Sequence, residues 1–494
     1  MNQMNKNAQF LKSLMAIGLL SVSSLGTAYA GPANTVKQAT NTEPQIAPIE
    51  AVKPFIPIQE LTTQSGMKIW FVEDHSVPVL SLKFFFSNIG AAYDPDEKQG
   101  IARMVSNTLD EGAGQLSGKD FQKMLNDHAI ALSFSSSRDD FSGSLKTLTR
   151  YQDKAFDLLK LSLNSPRFDD EAIERMRNAN IARIKSSLSQ PAWITARIFN
   201  DTLYGDHPYA KNSGGTLSSL AAITKADLKA YVTENFTRDR LHIAVTGDID
   251  PARLTTTIEN VFGPLQQNRI RPLAPVEPFQ WPESGKSSLF KIDNMPQSKV
   301  MIALPSIGID DERYYAMSLL STILGGSGFG SRLMEEIREK HGLTYGIYSG
   351  LSQGEAVNML QISASSQNET VAELLTRTVD ELTKLKNIPV SEEELQSHRD
   401  YLIGSMPLSL TSTDAISSIM QSLQMQGLPS TYYDSHGAKL KAVTAEDIQK
   451  LATELLDSER AVSVIAGGLT VEDLPHDATQ LHDFTLVTEL PNVE

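Results

Sequence analysis

The strongest constraint on this chain is that the same succession of elements occurs in it twice. Val79 to Phe86 (VLSLKFFF) and Val300 to Pro305 (VMIALP) read as strands, each followed by an Ile-Gly pair, Ile89-Gly90 and Ile307-Gly308. An acidic turn and an apolar helix ending at Leu109 or Leu324 follow in both, before a glycine-containing loop. Further on, LAAITKADLKAYV from Leu220 matches LKAVTAEDIQKLA from Leu440. Both place a Thr (Thr224, Thr444) three residues before an Asp (Asp227, Asp447), the spacing of a helix capping box. Both helices then lead into an apolar strand closing on Gly247 or Gly467. The offsets run from 213 to 220 residues. A shared order at a nearly constant offset points to duplication. The fold class expected is therefore α+β, with strands in hairpin-like succession, amphipathic helices between them and no regular βαβ alternation.

Between the halves lies RPLAPVEPFQWPESGK, residues 271–286, whose four prolines interrupt any helix or central strand. This linker sets the first domain at 51–270 and the second at 287–494. Residues 31–50 are polar and Pro-punctuated and read as an extended lead-in. Residues 1–30 carry Lys6 and Lys12, an apolar run from Leu14 to Leu25 and the small-x-small triplet Ala28-Tyr29-Ala30, the pattern of a cleaved secretory signal peptide. No later stretch is long and apolar enough for a membrane span. Exported yet with no cysteine, the chain is expected in a bacterial periplasm, without disulfides or thiol metal sites. Loss of the signal leaves 42 basic side chains against 59 acidic ones, a net charge of −17, which argues against a nucleic-acid partner.

The segment Gly325 to Tyr345, GGSGFGSRLMEEIREKHGLTY, reads as a glycine loop, a charged helix and a turn into a strand. Leu333, Met334 and Ile337 form the apolar face of that helix. The glycines Gly325, Gly326, Gly328 and Gly330 allow a tight turn or a close approach to a ligand. The loop has neither the Lys-Ser/Thr of a phosphate loop nor G-x-G-x-x-G spacing, so phosphate binding is disfavoured. Arg338 and Tyr345 stand seven apart. On residue type alone, Arg338 neutralises a helix C-terminus and Tyr345 fills a half-buried strand position. Their counterparts at the 213-residue offset are Leu125 and Leu132, so the fold does not itself require Arg and Tyr there.

Together with the tracts SRLMEEIREKHGLTYGIYS, YGDHPYA and AVTGDID, the two halves resemble the pitrilysin/insulinase (M16) family of zinc peptidases. The resemblance implies a clamshell of homologous α+β domains closing on an extended peptide. It also implies a zinc motif, H-x-x-E-H, on the first helix of the first half, with a third carboxylate ligand from a later helix. Those positions fall here on Arg103, Ser106 and Asn107, and on Arg183, or Ala182 with a one-residue slip. No metal ligand and no cofactor is therefore expected in this chain. His75, His128, His207, His242, His341, His398 and His436 are isolated in sequence, and His476 and His482 read as solvated. His207-Pro208 reads as a loop-shaping pair.

In active members the second half contributes an Arg and a Tyr, seven apart, that hydrogen-bond the substrate near the scissile carbonyl. Arg338 and Tyr345 match both types and the spacing. The resemblance thus implies a zinc-free subunit of a heteromeric periplasmic peptidase, inactive alone. It would form a heterodimer with a zinc-bearing M16 subunit and donate Arg338 and Tyr345 to that subunit's site. The alternative is a non-enzymatic peptide-binding chaperone or assembly scaffold on the same fold. A self-sufficient peptidase of another kind finds no motif, since G-x-S-x-G, H-E-x-x-H and Cys are all absent.

Overall fold

The computed structural model describes residues 54–326, 330–491 and 493–494. The expected signal peptide, the lead-in and Gly328 of the glycine loop lie outside the described residues. In the first half, β1 (Gln59–Thr62), β2 (Lys68–Glu73) and β3 (Val79–Phe86) precede α1 (Ile101–Ser106), a small ribbon of β4 (Gly112–Ala113) and β5 (Leu116–Ser117), and α2 (Gly118–Asp127). The hairpin β6 (Ala131–Ser136) and β7 (Phe141–Leu148) follows, then α3 (Gln152–Asn164), α4 (Asp170–Ser187), α5 (Pro191–Tyr204), α6 (Leu217–Ala222), α7 (Lys225–Asn235), β8 (Leu241–Gly247) and α8 (Pro251–Phe262). The second half repeats the order: β9 (Lys286–Lys291), β10 (Gln297–Pro305), α9 (Tyr314–Gly325), a π-helix (Met334–Lys340), and the hairpin β11 (Thr344–Gln353) and β12 (Asn358–Gln367). It continues with α10 (Val371–Asn387), α11 (Glu392–Ser405), α12 (Thr413–Met425), α13 (His436–Ala442), α14 (Ala445–Leu455), β13 (Val462–Gly467), α15 (His476–Thr479) and β14 (Phe484–Val487).

Each half builds one six-stranded sheet, with orders β1-β2-β8-β3-β7-β6 and β14-β9-β13-β10-β12-β11. Five positions match strand for strand, including the parallel pairs β2 with β8 and β9 with β13. The sixth differs in origin. β1 runs antiparallel to β2 from the N-terminal side, while β14 comes from the end of the chain and runs parallel to β9. Both capping boxes form, with the Thr224 and Thr444 hydroxyls accepting from the Asp227 and Asp447 amides. One helix is shorter than its sequence suggests: α1 ends at Ser106, and the chain turns before Leu109.

The central strands are buried on both faces, which explains runs such as VLSLKFFF where a one-faced strand would alternate. One face of each sheet carries its own half's helices. The other is covered by a helix from the opposite half. Ile194, Ile198, Phe199 and Leu203 of α5 pack on Val462, Val464 and Ala466 of β13. Reciprocally, α12 lays Met420 on Val72 and Ala244 of the first sheet. Polar ties flank that contact: Gln421 Nε2 donates to the Phe84 carbonyl at 3.1 Å, Gln424 Nε2 to the Ile243 carbonyl at 3.1 Å, and Lys83 pairs with Asp414 at 2.9 Å. Fully burying a side chain such as Phe199 or Met420 is worth about 1.5–3 kcal/mol, so neither half completes its core without the other. The described residues from 54 onward accordingly belong to one compact unit.

The proline-rich linker has no regular structure from 271 to 285, as its prolines dictate, but it is held down. The Phe279 amide donates to the Ala356 carbonyl at 2.8 Å, and Trp281 Nε1 to the Arg460 carbonyl at 3.0 Å.

Candidate functional site

The first candidate face lies where α1 meets α4. Gly100 enters α1 at φ 86°, and a Cβ there would come within 2.7 Å of Gly215 Cα, so both conformation and packing demand glycine. The buried Asp94 carboxylate accepts from the Gly100 amide at 2.8 Å and the Ala102 amide at 3.4 Å, satisfying donors at the start of the helix. Burial pushes that carboxyl up to about 7. Ile101, Ala102, Met104 and Val105 are buried, which leaves Arg103 and Asn107 half-buried at the i, i+4 spacing of one helical face.

Asn107 Nδ2 donates to Asn180 Oδ1 at 3.0 Å, and Asn180 Nδ2 points at Met104 Sδ at 3.1 Å. Ser106 Oγ turns back onto its own helix, donating to the Arg103 carbonyl at 2.9 Å. Burial, and then the like charge of Arg183, push the Arg103 guanidinium down. Ala182 is exposed and has no ligand atom. The set at the family's metal positions is thus two guanidiniums, an engaged amide and a hydroxyl satisfied within its helix. This donor set does not fit Zn²⁺, which takes thiolate, imidazole or carboxylate, and cationic neighbours would repel it.

Asn180 escaped the sequence reading. A visible signal existed: Asn is a weak helix former, and one lying three residues before Arg183 in a long helix needs a buried partner.

A second cluster also escaped it. β2 and β8 run parallel and end together, so Glu73 and His75 meet Asp248 and Asp250. His75 Nδ1 lies 2.6 Å from Asp248 Oδ1, and Nε2 lies 3.0 Å from Glu73 Oε1. Hydrogen bonds to those two carboxylates raise the imidazole's pKa. Both ring nitrogens are thus engaged by carboxylates, and when the ring is protonated it has no lone pair to offer a metal ion.

Arg338 and Tyr345 sit in the second half, on the π-helix and on β11, which pack together. Leu333, Met334 and Ile337 form the buried face as the sequence reading requires. Arg338 is half-buried, with Nε 3.6 Å from Glu339 Oε1. Across β12, Thr344 pairs with Ser366 and Ile347 with Ala364, so Tyr345 and Gly346 together oppose a single residue in a β-bulge. Thr344 Oγ1 pins the bulge, donating to the Ser365 carbonyl at 2.6 Å and accepting from the Gly346 amide at 3.1 Å. Tyr345 is thrown outward and is 88% exposed. It does not fill a half-buried strand position.

The ladders revise its counterpart in the first half. Leu82, Leu145 and Leu132 stand in line across the first sheet, as Val300, Ala364 and Ile347 do across the second. Leu132 therefore corresponds to the buried Ile347, and β6 has no equivalent of Tyr345. Likewise the Leu125 carbonyl accepts from the Ile130 amide as the Ile337 carbonyl accepts from Leu343, which aligns Leu125 with Ile337. The widened turns of the π-helix and the bulge shift Arg338 and Tyr345 out of the repeat's register.

Gly325 serves packing: a Cβ there would meet the Ser349 amide at 2.6 Å. His207 shapes its loop, with Nε2 donating to the Glu277 carbonyl at 2.8 Å and Nδ1 accepting from the Tyr209 amide at 3.1 Å. His482 donates from Nε2 to the Glu459 carbonyl at 2.7 Å. No helix among the described residues is long and apolar enough to cross a membrane.

Known proteins fit this arrangement. Residues 75–216 match the family described as Insulinase (Peptidase family M16), and residues 222–402 match Peptidase M16 inactive domain. A curated relative, "Non-peptidase homolog YmxG" of Helicobacter pylori, is 26% identical over 406 residues, 81% of this chain and 92% of that protein. The crystal structure of a peptidase M16 inactive domain from Pseudomonas fluorescens superposes with a TM-score of 0.78 at 26% identity, covering 84% of this chain and 99% of that one. The periplasmic protease PqqL from Escherichia coli shares the fold with a TM-score of 0.71 at 19% identity, over 90% of this chain but 49% of its own length. On the duplicated sheets, the family matches in both halves and the residues at its metal positions, the chain belongs to the M16 peptidase family as a member without that family's zinc ligands.

Proposed function

We propose that this chain is the zinc-free subunit of a two-component periplasmic M16 peptidase. It would lend Arg338 and Tyr345 to the site of a separate zinc-bearing subunit. The observation that carries the reading is the bulge that turns Tyr345 88% out to solvent on a strand at the sheet's edge. A large aromatic side chain gains nothing for folding there, but its hydroxyl is free to reach a bound substrate. An extended peptide adding to the edge of β11 would run past Tyr345. Donors fixed beside a carbonyl oxygen stabilise the charge that develops on it during peptide hydrolysis. The similarity of this chain to about half the length of PqqL supports a second, complementary chain. The signal-like N-terminal sequence supports export.

The test is reconstitution. This chain and a chain containing H-x-x-E-H are purified separately and mixed, and hydrolysis of a quenched fluorescent peptide is followed. Activity in the mixture, with little or none in either chain alone, is the expected result. The scaffold alternative draws support from the name of the Helicobacter relative, a non-peptidase. It expects a stable complex whose activity is that of the zinc-bearing chain.

A further inference from the structure

We infer that Arg103 and Arg183 form a carboxylate receptor at the place the family gives to a metal, taking an acidic side chain or the C-terminal carboxylate of a bound peptide. This rests on the peptide-binding reading above and narrows its substrate class.

On α4 the other arginines are all engaged. Arg175 pairs with Glu111, and Arg177 with Glu174 and the Leu220 and Ile223 carbonyls, the last at 2.9 and 2.6 Å. Arg103 and Arg183 have no such partners among the described residues, and the charge that acts on Arg103 is that of Arg183. The 3.0 Å tie from Asn107 to Asn180 fixes the two helices against each other. Asn107 faces Asn180 while Glu111 faces Arg175, so α1 and α4 run antiparallel, and Arg103, one turn before Asn107, lies toward Arg183, just short of one turn after Asn180.

A chain with 59 acidic residues has ample means to neutralise two arginines. Leaving them together costs stability through repulsion, a cost an anion between them removes. Two planar forks with five donors each suit the two oxygens of a carboxylate. Arg103, half-buried, provides the low-dielectric base where an ionic hydrogen bond is strengthened, and Arg183, exposed, provides the mouth.

The test uses the purified chain alone, so it does not depend on any partner or on Tyr345. Fluorescein-labelled peptides that differ only by Glu or Gln at one position, each as C-terminal acid and amide, are titrated by fluorescence anisotropy. The wild type should bind a carboxylate-bearing peptide about tenfold more tightly than its neutral twin, as one charge-assisted contact provides. The Glu/Gln arm and the acid/amide arm identify which carboxylate is read. In Arg103→Gln/Arg183→Gln the discrimination should fall below about twofold, while Arg103→Lys should keep part of it. Melting temperatures control for folding: the double variant should melt no lower than wild type, because a repulsion has been relieved. Three outcomes overturn the proposal: no peptide binding, equal binding of charged and neutral peptides, or undiminished discrimination in the double variant. Inorganic phosphate competing as well as a carboxylate peptide would also overturn the assignment to peptides.

Discussion

Asn107 donates its side-chain amide to the carboxamide oxygen of Asn180 at 3.0 Å, joining α1 to α4 where active relatives would hold a metal. A neutral hydrogen bond between side chains does there the structural work of a coordination bond. Asn180 is 3% exposed, so its oxygen has no alternative partner in water. Asn180→Ala should strand the Asn107 amide and cost about 1–3 kcal/mol. Urea unfolding monitored by circular dichroism measures this, and a loss below about 0.3 kcal/mol would show the tie to be incidental.

Metal content follows from the same seam. After dialysis the protein should carry well under one zinc per chain by elemental analysis, since neither guanidinium nor amide replaces imidazole or carboxylate as a ligand. Stoichiometric zinc that survives dialysis would contradict the reading of Arg103, Ser106, Asn107 and Arg183.

Tyr345→Phe removes one hydroxyl from a side chain that is 88% exposed, so stability and assembly should hardly change. If the hydroxyl serves a partner's site, kcat of the assembled pair should fall by roughly 10²-fold. Arg338→Ala should lose a comparable factor and also raise KM if the guanidinium holds the ground-state carbonyl. An unchanged kcat in a fully assembled Tyr345→Phe complex removes the role assigned to Tyr345.

The halves should unfold together, because α5 and α12 each complete the opposite core. Met420 is fully buried against the first sheet though it belongs to the second half. Met420→Ala should cost about 2–5 kcal/mol and lower a single transition seen by probes in both halves. Two separate transitions would mean that each half completes its own core.

Stability should depend on pH through Asp94. Burial disfavours the charge and pushes its carboxyl up to about 7 in the folded chain, from an ordinary value of 3.8. The folded state therefore holds this proton more tightly than the unfolded one. The contribution is full below about pH 4 and lost as pH rises through about 7, worth up to about 4 kcal/mol by linkage. Asp94→Asn abolishes the titration, so the stability of the variant relative to wild type should rise between pH 5 and pH 8. A constant difference across that range would exclude Asp94 as the source.

The sequence by itself determined the duplication, because capping boxes, strand-closing glycines and apolar runs are local patterns that recur in order. It also carried the family resemblance, which implies that Arg103, Ser106, Asn107 and Arg183 stand at the metal positions, where none of these residue types serves as a zinc ligand. It could not show that each half borrows a helix from the other, because an amphipathic face such as that of α5 does not name the sheet it will cover. The Asn107–Asn180 bond and the meeting of Glu73, His75, Asp248 and Asp250 depend on helix crossing and strand order, which join residues far apart in the chain. Spacing likewise matched Tyr345 to Leu132, whereas a bulge had displaced the strand. Counting along a chain assumes constant register, and a single inserted residue turns a side chain from the core to solvent.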